Sequence, residues 1–116
     1  MLVDSSVWID HLRRGNERLA AQLEHGDVLT HPFVIGELAC GNLKQRNRVL
    51  SLLADLPATP VAEHGEVMAF VDAHELMAQG LGWVDIHLLA SAALARSSLW
   101  TLDRRLAAAC EKVGVR

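Results

Sequence analysis

Apolar and polar positions along the chain fall into blocks that switch between strand-like and helix-like spacing. Met1 to Val3 is a short apolar run. The Asp4-Ser5-Ser6 turn after it leads into Val7, Trp8, Ile9 and Leu12 at helical spacing, so strand, turn and helix follow in order. Gly15 ends that helix, Leu19, Ala20 and Leu23 mark a second short one closing at Gly26, and Val28 to Thr30 reads as another strand. Pro32 opens a third helix, to about Leu43, that carries Phe33, Val34, Leu38 and Cys40. A fourth, Gln45 to Leu56, turns Val49, Leu50, Leu52 and Leu53 inward before Pro57 and Pro60 close the section. The pattern then predicts a strand over Thr59 to Ala62 and a long helix over His64 to Gln79. A break at Gly80-Leu81-Gly82 precedes the most apolar helix, Val84 to Arg96. Ser98 to Leu102 is the next strand and Asp103 to Val113 the last helix, with Gly114 as its stop and Val115 beginning an edge strand.

Strands alternating with helices imply right-handed crossovers and a parallel sheet covered on both faces. The expected fold is therefore α/β, a three-layer α/β/α domain with a short parallel sheet of four to five strands. With 116 residues, 51% of them hydrophobic, the chain has material for one core, so one domain over residues 1–116 is expected. Charged residues make up 22%, which argues against disorder. No apolar run approaches the roughly 18 residues of a membrane span, and the N-terminus lacks the pattern of a signal sequence, so a cytoplasmic protein is expected. Cys40 and Cys110 lie far apart, each flanked by apolar residues, and read as buried thiols rather than a disulfide or zinc framework.

Ligands of parallel α/β sheets gather at the carboxyl ends of strands. Asp4 and Asp103 each stand just after a strand and just before a helix, positions that also suit ordinary N-caps. Glu37 has Phe33 and Val34 behind it and Cys40 and Gly41 ahead at helical spacing, which puts a carboxylate on an apolar face with no basic residue beside it. Asp85 opens the most apolar helix, with Leu88, Leu89 and Ala92 on its side, and a capping role is open to it as well. Four carboxylates at one sheet edge would repel one another unless a divalent cation offsets them, and all-oxygen ligation favours Mg²⁺ or Mn²⁺ over zinc.

The order Leu-Val-Asp4-Ser-Ser6, Ile-Gly-Glu37-Leu, Gly82-Trp-Val-Asp85 and Thr101-Leu-Asp103-Arg-Arg resembles the PIN-domain ribonucleases, most closely the VapC toxins, over nearly the whole chain. The resemblance implies a catalytic and metal-binding quartet of Asp4, Glu37, Asp85 and Asp103, with Ser6 and Thr101 supporting it by hydrogen bonds. It implies Mg²⁺- or Mn²⁺-dependent hydrolysis of RNA, leaving 5′-phosphate and 3′-hydroxyl ends. It further implies a cognate VapB antitoxin that occludes the groove and alone contacts operator DNA, and a homodimer, with which an apolar first helix bearing Trp8, Ile9 and Leu12 is compatible. Leu106 stands where many relatives carry an aromatic residue.

The net charge of −3 argues against a protein that coats nucleic acid non-specifically. Removing the quartet from the fourteen acidic residues, however, leaves ten against eleven basic ones, nine of them arginine. Arg13, Arg14, Arg104 and Arg105, with Lys44, Arg46 and Arg48, follow closely after three of the four acids and are candidate contacts for phosphate or for an acidic partner segment, although solvated helix faces account for any one cluster. Trp83, in a glycine-flanked loop near Asp85, is the tryptophan placed to touch a base, whereas Trp8 and Trp100 read as core. The six histidines show no zinc spacing and read as surface or hydrogen-bonded residues, with His87 near the site. The competing reading is a catalytically inactive RNA- or protein-binding module on the same fold. An aspartyl-phosphate phosphatase fits poorly, since Ser6 stands where its second aspartate would be.

Overall fold

In the computed structural model, which describes residues 1–116, the sheet is built around the first strand of the chain. Strand β1 (Leu2–Val3) pairs in parallel with β2 (Leu99–Trp100), Leu2 opposite Leu99 and Val3 opposite Trp100. Isolated parallel bridges, Leu2 to Leu29 and Thr30 to Ala58, continue the arrangement on the other side of β1. Beyond β2, the Leu99 N–H donates to the Val115 carbonyl at 2.6 Å. The segments thus lie in the order Ala58, Leu29–Thr30, β1, β2, Val115. Leu2 and Val3 project to opposite faces and both are fully buried, so the sheet is covered on both sides.

Two regular strands stand where four to five were expected, because each outer segment pairs through just a residue or two. The predicted strand at Thr59 to Ala62 is displaced toward Pro57: the Thr30 N–H donates to the Pro57 carbonyl at 2.8 Å and Thr59 N–H to the Thr30 carbonyl at 2.9 Å. Pro57 and Pro60 have no N–H to extend that ladder in either direction.

Seven helices cover the sheet: α1 (Ser5–Arg14), α2 (Glu17–Glu24), α3 (Pro32–Ala39), α4 (Arg46–Ala54), α5 (His64–His74), α6 (Trp83–Leu94) and α7 (Arg104–Val113). Helix α1 packs on α2 and α3, and α3 on α4, while α6 packs on α5, α7 and β2. The core is one cluster of 22 buried apolar residues, to which α6 gives Ile86, Leu88, Leu89, Ala90 and Ala92. Truncating a fully buried leucine such as Leu89 to alanine costs about 2–5 kcal/mol in a core of this kind.

Four helices are shorter than their apolar pattern, among them α4, which was expected to reach Leu56 and ends at Ala54. Helix α3 stops at Ala39, ahead of Gly41 and Asn42, and Arg46 Nη2 covers the Ala39 carbonyl at 2.8 Å. Cys40 is consequently exposed, not buried, while Cys110 is buried as expected. Helix α5 ends at His74 because Glu75 turns into the left-handed region at φ 52°, and Leu76 N–H then reaches back to the Val71 carbonyl at 3.0 Å, which buries the Leu76 side chain. Helix α6 ends in the same way, with Arg96 at φ 51° and Ser97 N–H on the Ala92 carbonyl at 2.9 Å. No helix is long and apolar enough to cross a membrane.

Candidate active site

From β1 the chain works outward through Leu29–Thr30 to Ala58, then returns to lay β2 on the opposite side of β1. Where the strand order reverses, the connections after two neighbouring strands diverge and leave a crevice at their carboxyl ends. Asp4 follows β1 into this crevice, and Thr101, Leu102 and Asp103 follow β2 into it.

Asp4 is 6% exposed, and neither salt bridge of the molecule reaches it. Its Oδ2 accepts from the Ser6 hydroxyl at 2.8 Å and the Thr101 hydroxyl at 2.7 Å. Each hydroxyl has one proton, and both go to this oxygen; the lone pairs in turn accept the Leu102 N–H at Ser6 (3.0 Å) and the Asp103 N–H at Thr101 (3.1 Å). The two hydroxyls therefore tie the connection after β2 to the carboxylate that ends β1. Ser6 and Thr101 thus both donate to Asp4.

The other three acids are held in a similar manner. Asp103 Oδ1 caps α7, accepting from the backbone of Arg105 at 2.8 Å and Leu106 at 3.2 Å. Asp85 Oδ2 accepts the Gly82 N–H at 2.9 Å, one turn back at the start of α6. Glu37 Oε1 accepts from the Ser5 hydroxyl at 3.2 Å, and Ser5 also stands 3.5 Å from Asp4 Oδ1. The capping readings of Asp103 and Asp85 are thus correct for one oxygen of each. In all four groups one oxygen is anchored to the scaffold, and the other has no partner or just the long Ser5 contact.

Electrostatics marks the four as neighbours. Partial desolvation raises the Asp85 pKa above the ordinary carboxylate value, with the charges of Asp4 and Asp103 adding and the Gly82 N–H opposing. Desolvation likewise raises Glu37, opposed by the Ser5 hydrogen bond and reinforced by Asp4 and Asp85. Contrary to its apolar sequence neighbourhood, Glu37 sits at an exposed rim, because the face of α3 that turns inward is that of Val34 and Leu38. No three histidine, cysteine, aspartate or glutamate side chains converge closely enough to hold one ion among themselves.

The basic residues divide. Arg14 is committed to Asp10, four residues back on α1. Arg13 lines a groove of about 410 Å³ together with Glu37 and Lys44. Arg104 is exposed, and Arg105 lies over Gly80. Trp83 is 42% exposed, Trp8 is buried, and Trp100 is half-buried with the Arg18 guanidinium 4.2 Å above its ring.

Sequence reasoning missed Ser5, and it missed how deeply His31 and His87 are buried. Ser5 links Glu37 to Asp4, which a serine beside an aspartate does not announce. Of the two readings open to the histidines, surface or hydrogen-bonded, His31 takes the second and is fully buried: its Nδ1 accepts the Phe33 N–H at 2.9 Å and caps α3, the helix that carries Glu37, while Nε2 faces Ser91 Oγ at 3.1 Å. His87 is also buried, with no partner for Nδ1.

The sequence matches the family described as PIN domain over residues 1–112. Ribonuclease VapC32 of Mycobacterium tuberculosis, from strains CDC 1551 / Oshkosh and ATCC 25618 / H37Rv, is 50% identical over 116 residues, covering 99% of this chain and 94% of that protein. The crystal structure of PAE2754 from Pyrobaculum aerophilum has the same fold at 16% identity, with a TM-score of 0.63 over 99% of this chain and 89% of that one. The chain thus belongs to the PIN-domain family, in its VapC group.

Proposed function

We propose that this chain is a VapC-like toxin: an endoribonuclease that hydrolyses RNA phosphodiester bonds with Mg²⁺ or Mn²⁺ and is held in check by a cognate VapB antitoxin. The observation that carries this reading is the set of four carboxylates at one crevice, Asp4, Glu37, Asp85 and Asp103, each with one oxygen fixed and one free. Groups so fixed lose little entropy on binding a ligand, and their mutual repulsion favours a cation among them. All donors are oxygen, which suits Mg²⁺ or Mn²⁺, and Asp4, Glu37, Asp85 and Asp103 are the residues that would hold it. When bound, such an ion polarises the phosphoryl group and lowers the pKa of a water. The chain's own part is positional: Ser6 and Thr101 hold Asp4, Gly82 holds Asp85, the start of α7 holds Asp103, and Ser5 holds Glu37.

Arg13 with Lys44 on one side, and Arg104 with Arg105 on the other, supply the positive charge that a phosphate chain needs beside an acidic crevice. An apolar groove of about 300 Å³ between α1, α2 and α4, lined by Trp8, Leu12, Leu23, Val49 and Leu52, is of the kind that takes an amphipathic helix, in keeping with an antitoxin partner. Ile9 and Leu12, each 40% exposed on α1, leave apolar surface for that partner or for a homodimer. A cytoplasmic location, and contact with operator DNA through the antitoxin alone, follow from the same reading.

The test is cleavage of a mixed cellular RNA by purified wild type and Asp103→Asn, with Mn²⁺ and with excess EDTA. Cuts bearing 5′-phosphates are expected from wild type with metal and from neither protein in EDTA. Equal cutting by both proteins refutes the catalytic quartet; binding without cutting by either favours the inactive module.

A further inference from the structure

The loop from Gly80 to Trp83 has features that the acidic crevice does not use. Gly80 has φ +73°, and a Cβ placed there would stand 2.9 Å from Cδ and Nη1 of Arg105. The glycine is therefore a seat on which Arg105 rests as it reaches across from the first turn of α7, and its guanidinium enters no salt bridge. At the other end of the loop, Trp83 opens α6 with its indole 42% exposed.

That indole is backed by other rings. His87 meets it edge to face at 4.9 Å, and His64 leans on it at 5.4 Å. Behind His87 stands Phe33 at 4.7 Å, and behind that the fully buried His31 at 5.0 Å. The stack runs from solvent into the core, so Trp83 is exposed and yet fixed in orientation. His87 is 5% exposed with Nδ1 unpartnered, a free-energy cost carried by the residue that braces the indole. The Gly82 N–H on Asp85 Oδ2 locks this loop to the crevice.

A rigid open indole offers its face to any nucleobase, and a planar guanidinium offers paired donors to a phosphate. Two such groups, Arg105 seated on one end of the loop and Trp83 standing at the other, beside acids that would otherwise repel a phosphate chain, match the two halves of a nucleotide. We propose that Trp83 and Arg105 form a nucleotide subsite beside the acidic crevice, where the indole stacks on one base of single-stranded RNA and Arg105 grips the adjoining backbone phosphate. The substrate class rests on the ribonuclease reading; the subsite adds where a base is bound and so what sets the position of the cut. Single strands are required, since a base within a duplex has no free face.

The experiment is a tryptophan-fluorescence titration in EDTA with an oligouridylate and with an abasic oligomer of equal phosphate number, using wild type, Trp83→Leu, Trp83→Phe and Arg105→Gln, each checked for native circular dichroism. The oligouridylate is expected to quench wild-type emission and the abasic oligomer to leave it unchanged. Trp83→Leu lowers oligouridylate affinity about tenfold, and Trp83→Phe restores most of it. Arg105→Gln weakens both oligomers and flattens the salt dependence. Unquenched wild-type emission with unchanged affinity in Trp83→Leu overturns the subsite, as does a Trp83→Leu protein that binds RNA normally but loses self-association in sedimentation. Quenching by a wild type that cuts no RNA in Mn²⁺ overturns the ribonuclease reading and supports the subsite as a binding site; cutting without quenching does the reverse.

Discussion

Acid should loosen this protein through His31, and the size of the effect follows from its surroundings. Nδ1 accepts the Phe33 N–H, so the ring proton sits on Nε2, facing Ser91. Protonation would place a second proton on Nδ1, opposite an N–H, and remove the cap of α3. Burial, with the His87 charge as a smaller contribution, pushes the His31 pKa down to about 4 from the ordinary 6.5. As pH falls, the unfolded chain takes up this proton first. The contribution is therefore fully present above pH 6.5 and is lost progressively toward pH 4. At about 1.4 kcal/mol per pH unit, roughly 2 kcal/mol is gone by pH 5 and about 3 kcal/mol by pH 4. For a domain of this size that is a fall in Tm of about 8 °C at pH 5. Glu37 and Asp85 act in the opposite sense, since their raised pKa values let the folded state take up protons first. The measurement is thermal unfolding from pH 7.5 to 4.5 of wild type and His31→Asn, whose side chain caps a helix without titrating. The acid groups are common to both proteins, so the difference in Tm should shrink or reverse as pH falls. A difference independent of pH would refute the buried, neutral imidazole.

Other outcomes follow from the hydrogen bonds and the backbone. Ser6→Ala leaves the Leu102 N–H without its acceptor and Asp4 with one hydroxyl donor, so urea denaturation should show a loss of about 1–2 kcal/mol, and RNA cleavage should fall while RNA binding holds. Glu75→Gly removes the strain of a left-handed glutamate and should stabilise by roughly 1 kcal/mol; the Lys112 ammonium bonds the Glu75 carbonyl, which the substitution keeps. A thiol reagent should titrate one cysteine in the native protein, Cys40, and the second only on unfolding, since burial hides Cys110 and pushes its thiol up to about 11.

The helix ends show what local pattern can and cannot convey. Helices α2 and α7 stop at Gly26 and Gly114, both at positive φ, and the sequence marks them because glycine enters that region without strain. Helices α5 and α6 stop by the same hydrogen-bond pattern at Glu75 and Arg96, residues that ordinarily continue a helix. What stops α5 is the burial of Leu76, a tertiary demand that no local signal carries. The site divides likewise. Asp4 and Asp103 were legible because a carboxylate after a strand occupies a special place in this fold class, and Asp85 because it opens the most apolar helix. Glu37 was located for a partly wrong reason, since its apolar neighbours lie on another face. Ser5, His31 and the Gly80 seat for Arg105 depend on distant chain segments meeting, and spacing along the sequence does not encode that.

The sheet order also governs when the crevice can exist. Thr101 and Asp4, joined by a hydrogen bond, stand 97 residues apart, and β1 has one neighbour near each end of the chain. During synthesis, the first strand must wait until residues 99 and 100 have left the ribosome before β2 can lie beside it. Asp103 arrives later still. A nascent chain that has exposed only its first half therefore carries Asp4 and Glu37 without Asp85 and Asp103, and the crevice forms only when β2 and the start of α7 join β1.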